Sequence, residues 1–184
     1  MVGRLELYIG PMFASKSTEL IRIANRYKSI GKKILAINHI YNNRYDNNNI
    51  TSHDKNVLHN CYVLDKLLDI FNIEEYNDAD IIIIEELQFY NDAYYVICNI
   101  LDHTDKIIIC AGLDGDYKRN PFGDVIKLIP HAEKVKKLSA LCKHCGNKAS
   151  FTKLKENESN MKNSILIGTD KEYESVCREH YLSK

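Results

Sequence analysis

Apolar residues follow two rhythms along this chain. In some stretches they run on with few interruptions, and in others they recur every three or four positions with polar residues between. The runs within 5–9, 33–38, 79–84 and 106–113 have the length and composition of strands buried in a parallel sheet. Leu20, Ile23, Ala24 and Tyr27 recur at helical spacing within 17–30, and Gly31 suits the left-handed position just past a helix end. The stretches 63–71 and 91–101 read as helices on the same grounds. Gly10 and Pro11 break the first strand before the first helix. Strands alternating with helices predict an α/β fold with a mainly parallel sheet.

Two regions leave that rhythm. Residues 42–56 are polar and carry Asn42, Asn43, Asn47, Asn48, Asn49 and Asn56, the composition of a mobile loop. Such a loop fits the substrate side of a site and fits plain solvation equally well. After Pro130 the texture changes to short β-like pieces at 135–141, 150–154 and 164–167. The expected division is therefore a main α/β domain over 1–130 and a small C-terminal subdomain over 131–184.

Composition narrows the function. A chain of 184 residues that is 45% hydrophobic suffices for one packed domain and a small appendage. Its 25 Lys plus Arg balance 25 Asp plus Glu, so no basic surplus exists to grip long nucleic acid. The run Ile81, Ile82, Ile83, Ile84 is far too short to span a bilayer, and the first residues lead into a strand rather than a signal peptide, so a cytoplasmic location is expected. Of six cysteines, two form a Cys-x-x-Cys pair, which favours reduced thiols that bind metal over disulfides.

Two motifs carry chemistry. Gly10, Pro11, Met12, Phe13, Ala14, Ser15, Lys16 and Ser17 lie between a strand and a helix and match G-x-x-x-x-G-K-[ST] except that Ser15 replaces the second glycine. In such a loop the backbone N–H groups wrap a phosphate at a helix N-terminus, Lys16 neutralises the β and γ oxygens, and the Ser17 hydroxyl meets Mg²⁺. The bland alternative is a strand, turn and helix that happens to hold a lysine. The four isoleucines end in Glu85 and Glu86, at the strand edge where open α/β sheets bind ligands. Adjacent strand residues face opposite ways, so one carboxylate is expected to address the Mg²⁺ shell and the other the acceptor hydroxyl. A solvated acidic pair is the alternative. The two motifs together point to phosphoryl transfer from Mg-ATP to a small hydroxyl substrate.

Cys142 with Cys145, and Cys177 with His180, form two ligand pairs at the spacing of a tetrahedral structural Zn²⁺ site. Four protein ligands leave no open position for a reactive water. Cys61 and Cys98 read as ordinary thiols.

Gly10, Pro11, Met12 and Phe13 before Lys16, Ser17, Thr18, Glu19 and Leu20, then Glu86, Leu87, Gln88 and Phe89, then Leu113, Asp114 and Gly115, then Pro121, Phe122 and Gly123 together resemble the type II thymidine kinase family. The resemblance covers about 5–181 and implies a P-loop, RecA-like domain followed by a zinc-ribbon and lasso subdomain. It implies transfer of the ATP γ-phosphate to the 5′-hydroxyl of thymidine or deoxyuridine, with Glu86 as catalytic base, Glu85 and Gln88 on the nucleotide side, and a homotetramer. It further implies a thymine pocket lined by Met12, Leu113, Thr152 and Tyr173, and a base and sugar site shaped by Phe89, Tyr117 and Phe122. Ser164, Ile165, Leu166, Ile167 and Gly168 would form the lasso that closes over the base, and Arg44 would lie near the transferred phosphate. The chain departs from the family pattern at Ser15, Glu85, Asn42, Tyr117 and His180. A catalytically weakened nucleotide-binding homologue is the competing expectation; a nucleic-acid ATPase is disfavoured by the charge balance.

Overall fold

The computed structural model describes residues 2–42, 49–51, 56–155 and 171–183. In chain order the elements are β1 (Arg4–Ile9), α1 (Lys16–Lys28), β2 (Ile34–His39), β3 (Asn49–Thr51), β4 (Val57–His59), β5 (Tyr62–Leu64), α2 (Glu75–Asp78), β6 (Ile81–Ile84), α3 (Ala93–His103), β7 (Ile107–Gly112), β8 (Lys134–Lys137), β9 (Ala140–Leu141), β10 (Lys148–Ala149), β11 (Phe151–Leu154), β12 (Tyr173–Val176) and α4 (Arg178–Leu182). Six strands form one sheet in the order β5-β2-β6-β7-β1-β8, and every neighbouring pair is parallel.

The isoleucine run explains why β6 sits at the centre. Ile82 and Ile84 belong to a core on one face with Val96, Ile97 and Ile100 of α3, while Ile81 and Ile83 belong to a core on the other with Leu20, Ile23 and Ala24 of α1. All four are fully buried, and each contributes about 1.5–3 kcal/mol relative to exposure. A strand apolar on both pleats can only be covered by helices on both sides. Helix α1 stops at Lys28, and Gly31 at φ 76 turns the chain back with open space around it, so the glycine is there for its dihedral.

Three expectations need correction. No helix spans 63–71: β5 pairs in parallel with the edge of β2, and a 3-10 turn over Leu67–Asn72 follows, its start held by Asp92 Oδ1 and Oδ2, which accept the N–H groups of Leu67 (3.1 Å) and Leu68 (2.8 Å). Pairing with the sheet edge outweighs the helical spacing. The polar stretch 42–56 is not all loop, because β3 and β4 form an antiparallel hairpin whose Ile50 and Leu58 bury against α1; residues 43–48 and 52–55, with Arg44, lie outside the described residues. The piece read over 135–141 is divided between two sheets. Its first part, β8, extends the main sheet beyond residue 130 by pairing with β1, and β9 pairs with β10 instead. Among the described residues, no helix is long and apolar enough to cross a membrane.

Candidate active site

β1 ends at Ile9, and Gly10 turns the chain at φ 147, where a Cβ would lie 2.4 Å from the Leu138 carbonyl oxygen. No side chain fits there. The following loop holds two non-glycine residues in the left-handed region, Phe13 at φ 64 and Ser15 at φ 57. Ser15 caps α1, and its carbonyl accepts the Glu19 N–H at 3.1 Å. Serine thus takes the backbone conformation that the motif assigns to glycine, at a cost of about 1–2 kcal/mol. Lys16 Nζ donates to the Pro11 carbonyl at 2.7 Å, folding the lysine over its own loop. Ser17 Oγ donates to Glu85 Oε1 at 2.6 Å, which joins the loop to the end of β6.

The two acids at that end meet different partners, though not because of the pleat. β6 ends at Ile84, and Glu86 takes a left-handed backbone at φ 54 that redirects its side chain. Glu85 is buried, 3% exposed, against Ser17, whereas Glu86 Oε2 accepts from Gln88 Nε2 at 2.6 Å. Gln88 is itself buried, and its Oε1 accepts the Leu113 N–H at 2.9 Å, so one amide ties the ends of β6 and β7. Gly123 leaves room for it: at φ 57, a Cβ there would come within 2.3 Å of the Gln88 carbonyl. Residues 12–18 with Glu85, Glu86 and Leu113 line an open cleft of ≈ 430 Å³.

Beside the cleft, Phe89 and Phe122 meet edge to face with centroids 5.6 Å apart. Phe89 also contacts Tyr41 (5.6 Å) and His39 (5.3 Å), and His39 meets Tyr90 at 4.6 Å. Burial lowers the His39 pKa against the opposing pull of Asp65, and its Nδ1 accepts the Tyr41 N–H at 3.1 Å. His39 and Tyr41 were not singled out by motif; the usable signal was that His39 ends β2, the strand beside β6. Met12 and Thr152 come together, with the Met12 N–H donating to Thr152 Oγ1 at 3.0 Å. Tyr117 and Tyr173 face each other at 6.2 Å, and the Tyr117 carbonyl accepts from Tyr181 OH at 2.9 Å. Ser164, Ile165, Leu166, Ile167 and Gly168 lie outside the described residues.

The metal-ligand pairs converge. The ligand atoms of Cys142, Cys145, Cys177 and His180 all lie within 4.8 Å of one another. Cys145 Sγ is 3.8 Å from Cys177 Sγ, and His180 Nδ1 is 3.7 Å from Cys142 Sγ and 3.2 Å from Cys177 Sγ. A zinc tetrahedron with Zn–S bonds of about 2.3 Å has edges of roughly 3.5–3.8 Å, so the three cysteines and one histidine fit that ion. Burial opposes ionisation of Cys142, but backbone N–H groups of Cys177, His144 and Cys145 bring its thiol down to about 6. His144 stacks on His180 with ring centroids 5.0 Å apart, and its Nε2 lies 3.1 Å from Glu174 Oε1.

The sequence profile of the family described as thymidine kinase matches residues 3–181. The chain is 43% identical over 180 residues to the thymidine kinase of Amsacta moorei entomopoxvirus, covering 96% of this chain and 97% of that protein. It is 40% identical over 182 residues to the thymidine kinase of vaccinia virus (strain Western Reserve), covering 98% and 97%. It is also 38% identical over 184 residues to thymidine kinase a of Arabidopsis thaliana, covering 98% of this chain and 76% of that protein.

Proposed function

The chain belongs to the thymidine kinase family, and from that premise we propose that it transfers the γ-phosphoryl group of ATP to the 5′-hydroxyl of thymidine or deoxyuridine. The observation that carries this reading is the 2.6 Å contact between Ser17 and Glu85. It brings the hydroxyl of a phosphate loop onto a strand-end carboxylate, with a second carboxylate one residue away.

In this reading the ATP phosphates lie over the N–H groups of residues 13–17, and Lys16 leaves the Pro11 carbonyl for the β and γ oxygens. Ser17 and Glu85 would hold Mg²⁺. When bound, that ion offsets the negative charge of the phosphates. Gln88 steadies Glu86 through its amide N–H while its carbonyl oxygen is occupied by Leu113. Glu86 takes the proton of the 5′-hydroxyl as the oxygen bonds to the γ-phosphorus, and the bond to the ADP oxygen breaks. Met12, Leu113, Thr152 and Tyr173 line the thymine pocket. Phe89, Tyr117 and Phe122 shape the base and sugar site. The cysteine and histidine cluster binds one structural zinc, with no place in the chemistry.

ADP release measured with thymidine, with deoxycytidine and with neither tests the assignment. Turnover that requires thymidine is the expected result; nucleoside-independent turnover would overturn it. The competing reading, a catalytically weakened homologue, finds no support: the relatives matched over nearly the whole chain are thymidine kinases, and Glu85 reaches Ser17. A cytoplasmic homotetramer belongs to the same proposal through the family resemblance. Light scattering at four times the 21.3 kDa chain mass is expected.

A further inference from the structure

The phosphate loop and the C-terminal hairpins share one small core. Ala14 is buried in a cluster with Ala140, Cys142, Ala149 and Val176, against which Phe13 and Cys177 also pack. Two members of that cluster, Cys142 and Cys177, are ligands of the metal site. The loop is tied down at two further points: the Met12 N–H donates to Thr152 Oγ1 at 3.0 Å in a buried contact, and the Leu138 N–H donates to the Ile9 carbonyl at 2.8 Å just before the loop begins. On either side of the buried Ala14 stand Phe13 and Ser15, both left-handed without being glycine. Such residues persist only where the surroundings over-determine them.

We propose that the C-terminal segment is a brace that holds the phosphate loop in its strained, nucleotide-ready form, with Thr152 as a positioning residue and the metal cluster as the fixed end of the brace. The proposal rests on the reading of this loop as the ATP site. Thr152 acts on ATP through the Met12 amide, separately from any contact with the nucleoside. The brace matters here because Ser15 occupies a position where glycine would need no support.

The test is a double-mutant cycle on zinc-loaded protein without nucleoside, reading the affinity for a Mg²⁺-bound non-hydrolysable ATP analogue. Thr152→Val keeps the shape and removes the acceptor, and should weaken binding by about tenfold, while Thr152→Ser should keep it. With Ser15→Gly already present the loop is relaxed, and Thr152→Val should cost no more than about threefold. Equal losses in both backgrounds, or no loss in either, would overturn the brace. If the unaltered protein binds no analogue, the reading of the loop itself fails instead. A second measurement needs no variant. Binding and metal retention are reciprocal at equilibrium, so the zinc affinity read by competition with a chromophoric chelator should rise severalfold when Mg-ADP fills the loop, and an unchanged affinity also counts against the brace.

Discussion

β6 lies between α1 and α3 with four fully buried isoleucines, whereas β8 is exposed along its length and the core under β9 and β10 consists of Ala14, Ala140, Cys142, Ala149 and Val176. The sheet draws its stability from large aliphatic side chains on both faces. Among the described residues the C-terminal hairpins bury a smaller core, and beside it four potential ligand atoms gather within 4.8 Å of one another. One chain thus uses two kinds of cement, and the phosphate loop lies at their junction. A site built at such a junction takes its carboxylates from the rigid half and its shape from the half that carries the cysteine and histidine cluster.

Breaking the metal half should give the largest effect. Cys145→Ser is expected to lose the zinc and with it on the order of 10 kcal/mol of ordering energy in the C-terminal segment. Elemental analysis should fall from one zinc per chain to near zero, and His180→Cys should retain it. Hydrogen exchange would localise the loss: amides of Tyr173 and Val176 should lose protection while those of Ile83 and Ile108 keep theirs. Breaking the sheet half acts differently. Ile83→Ala should destabilise the whole fold by about 2–5 kcal/mol in thermal or denaturant melts, with the zinc content unchanged.

Smaller changes sharpen the contrast. Ser15→Gly removes the left-handed strain at the junction and should lower the KM for ATP by about tenfold, since 1.4 kcal/mol corresponds to one decade; thymidine affinity should barely change. Smallest is Tyr90→Phe. The Tyr90 hydroxyl is buried with no hydrogen-bond partner among the described residues, so its removal should raise stability by about 1 kcal/mol, read as a higher Tm.

The sheet half was legible in the sequence because an isoleucine run between polar residues has one physical solution, a central strand covered on both faces. The turn between Gly10 and Ser17 was legible because Gly10 and Pro11 break β1 before α1, and the convergence of Cys142, Cys145, Cys177 and His180 because two pairs at that spacing can meet. What escaped depended on neighbours distant in sequence. Residues 62–64 became a strand because the edge of β2 was open to them, which no local periodicity reports. The Glu85 and Glu86 side chains diverge through a left-handed backbone at Glu86, where the pleat of a continuing strand was the expectation. His39 joined Phe89 and Tyr90 through sheet order, and Thr152 reached Met12 across 140 positions of sequence.

The central claim is that two adjacent carboxylates at one strand end divide the chemistry, Glu85 serving the Mg²⁺ held with Ser17 and Glu86 the 5′-hydroxyl. The direct measurement is thymidine phosphorylation by Glu85→Gln and Glu86→Gln across a range of Mg²⁺ concentrations. Glu86→Gln should lower kcat by about a hundredfold or more at every Mg²⁺ concentration, with a much smaller change in thymidine affinity. Glu85→Gln should shift the Mg²⁺ requirement upward and regain part of its rate as Mg²⁺ is raised. The same Mg²⁺-independent loss in both variants would contradict the division.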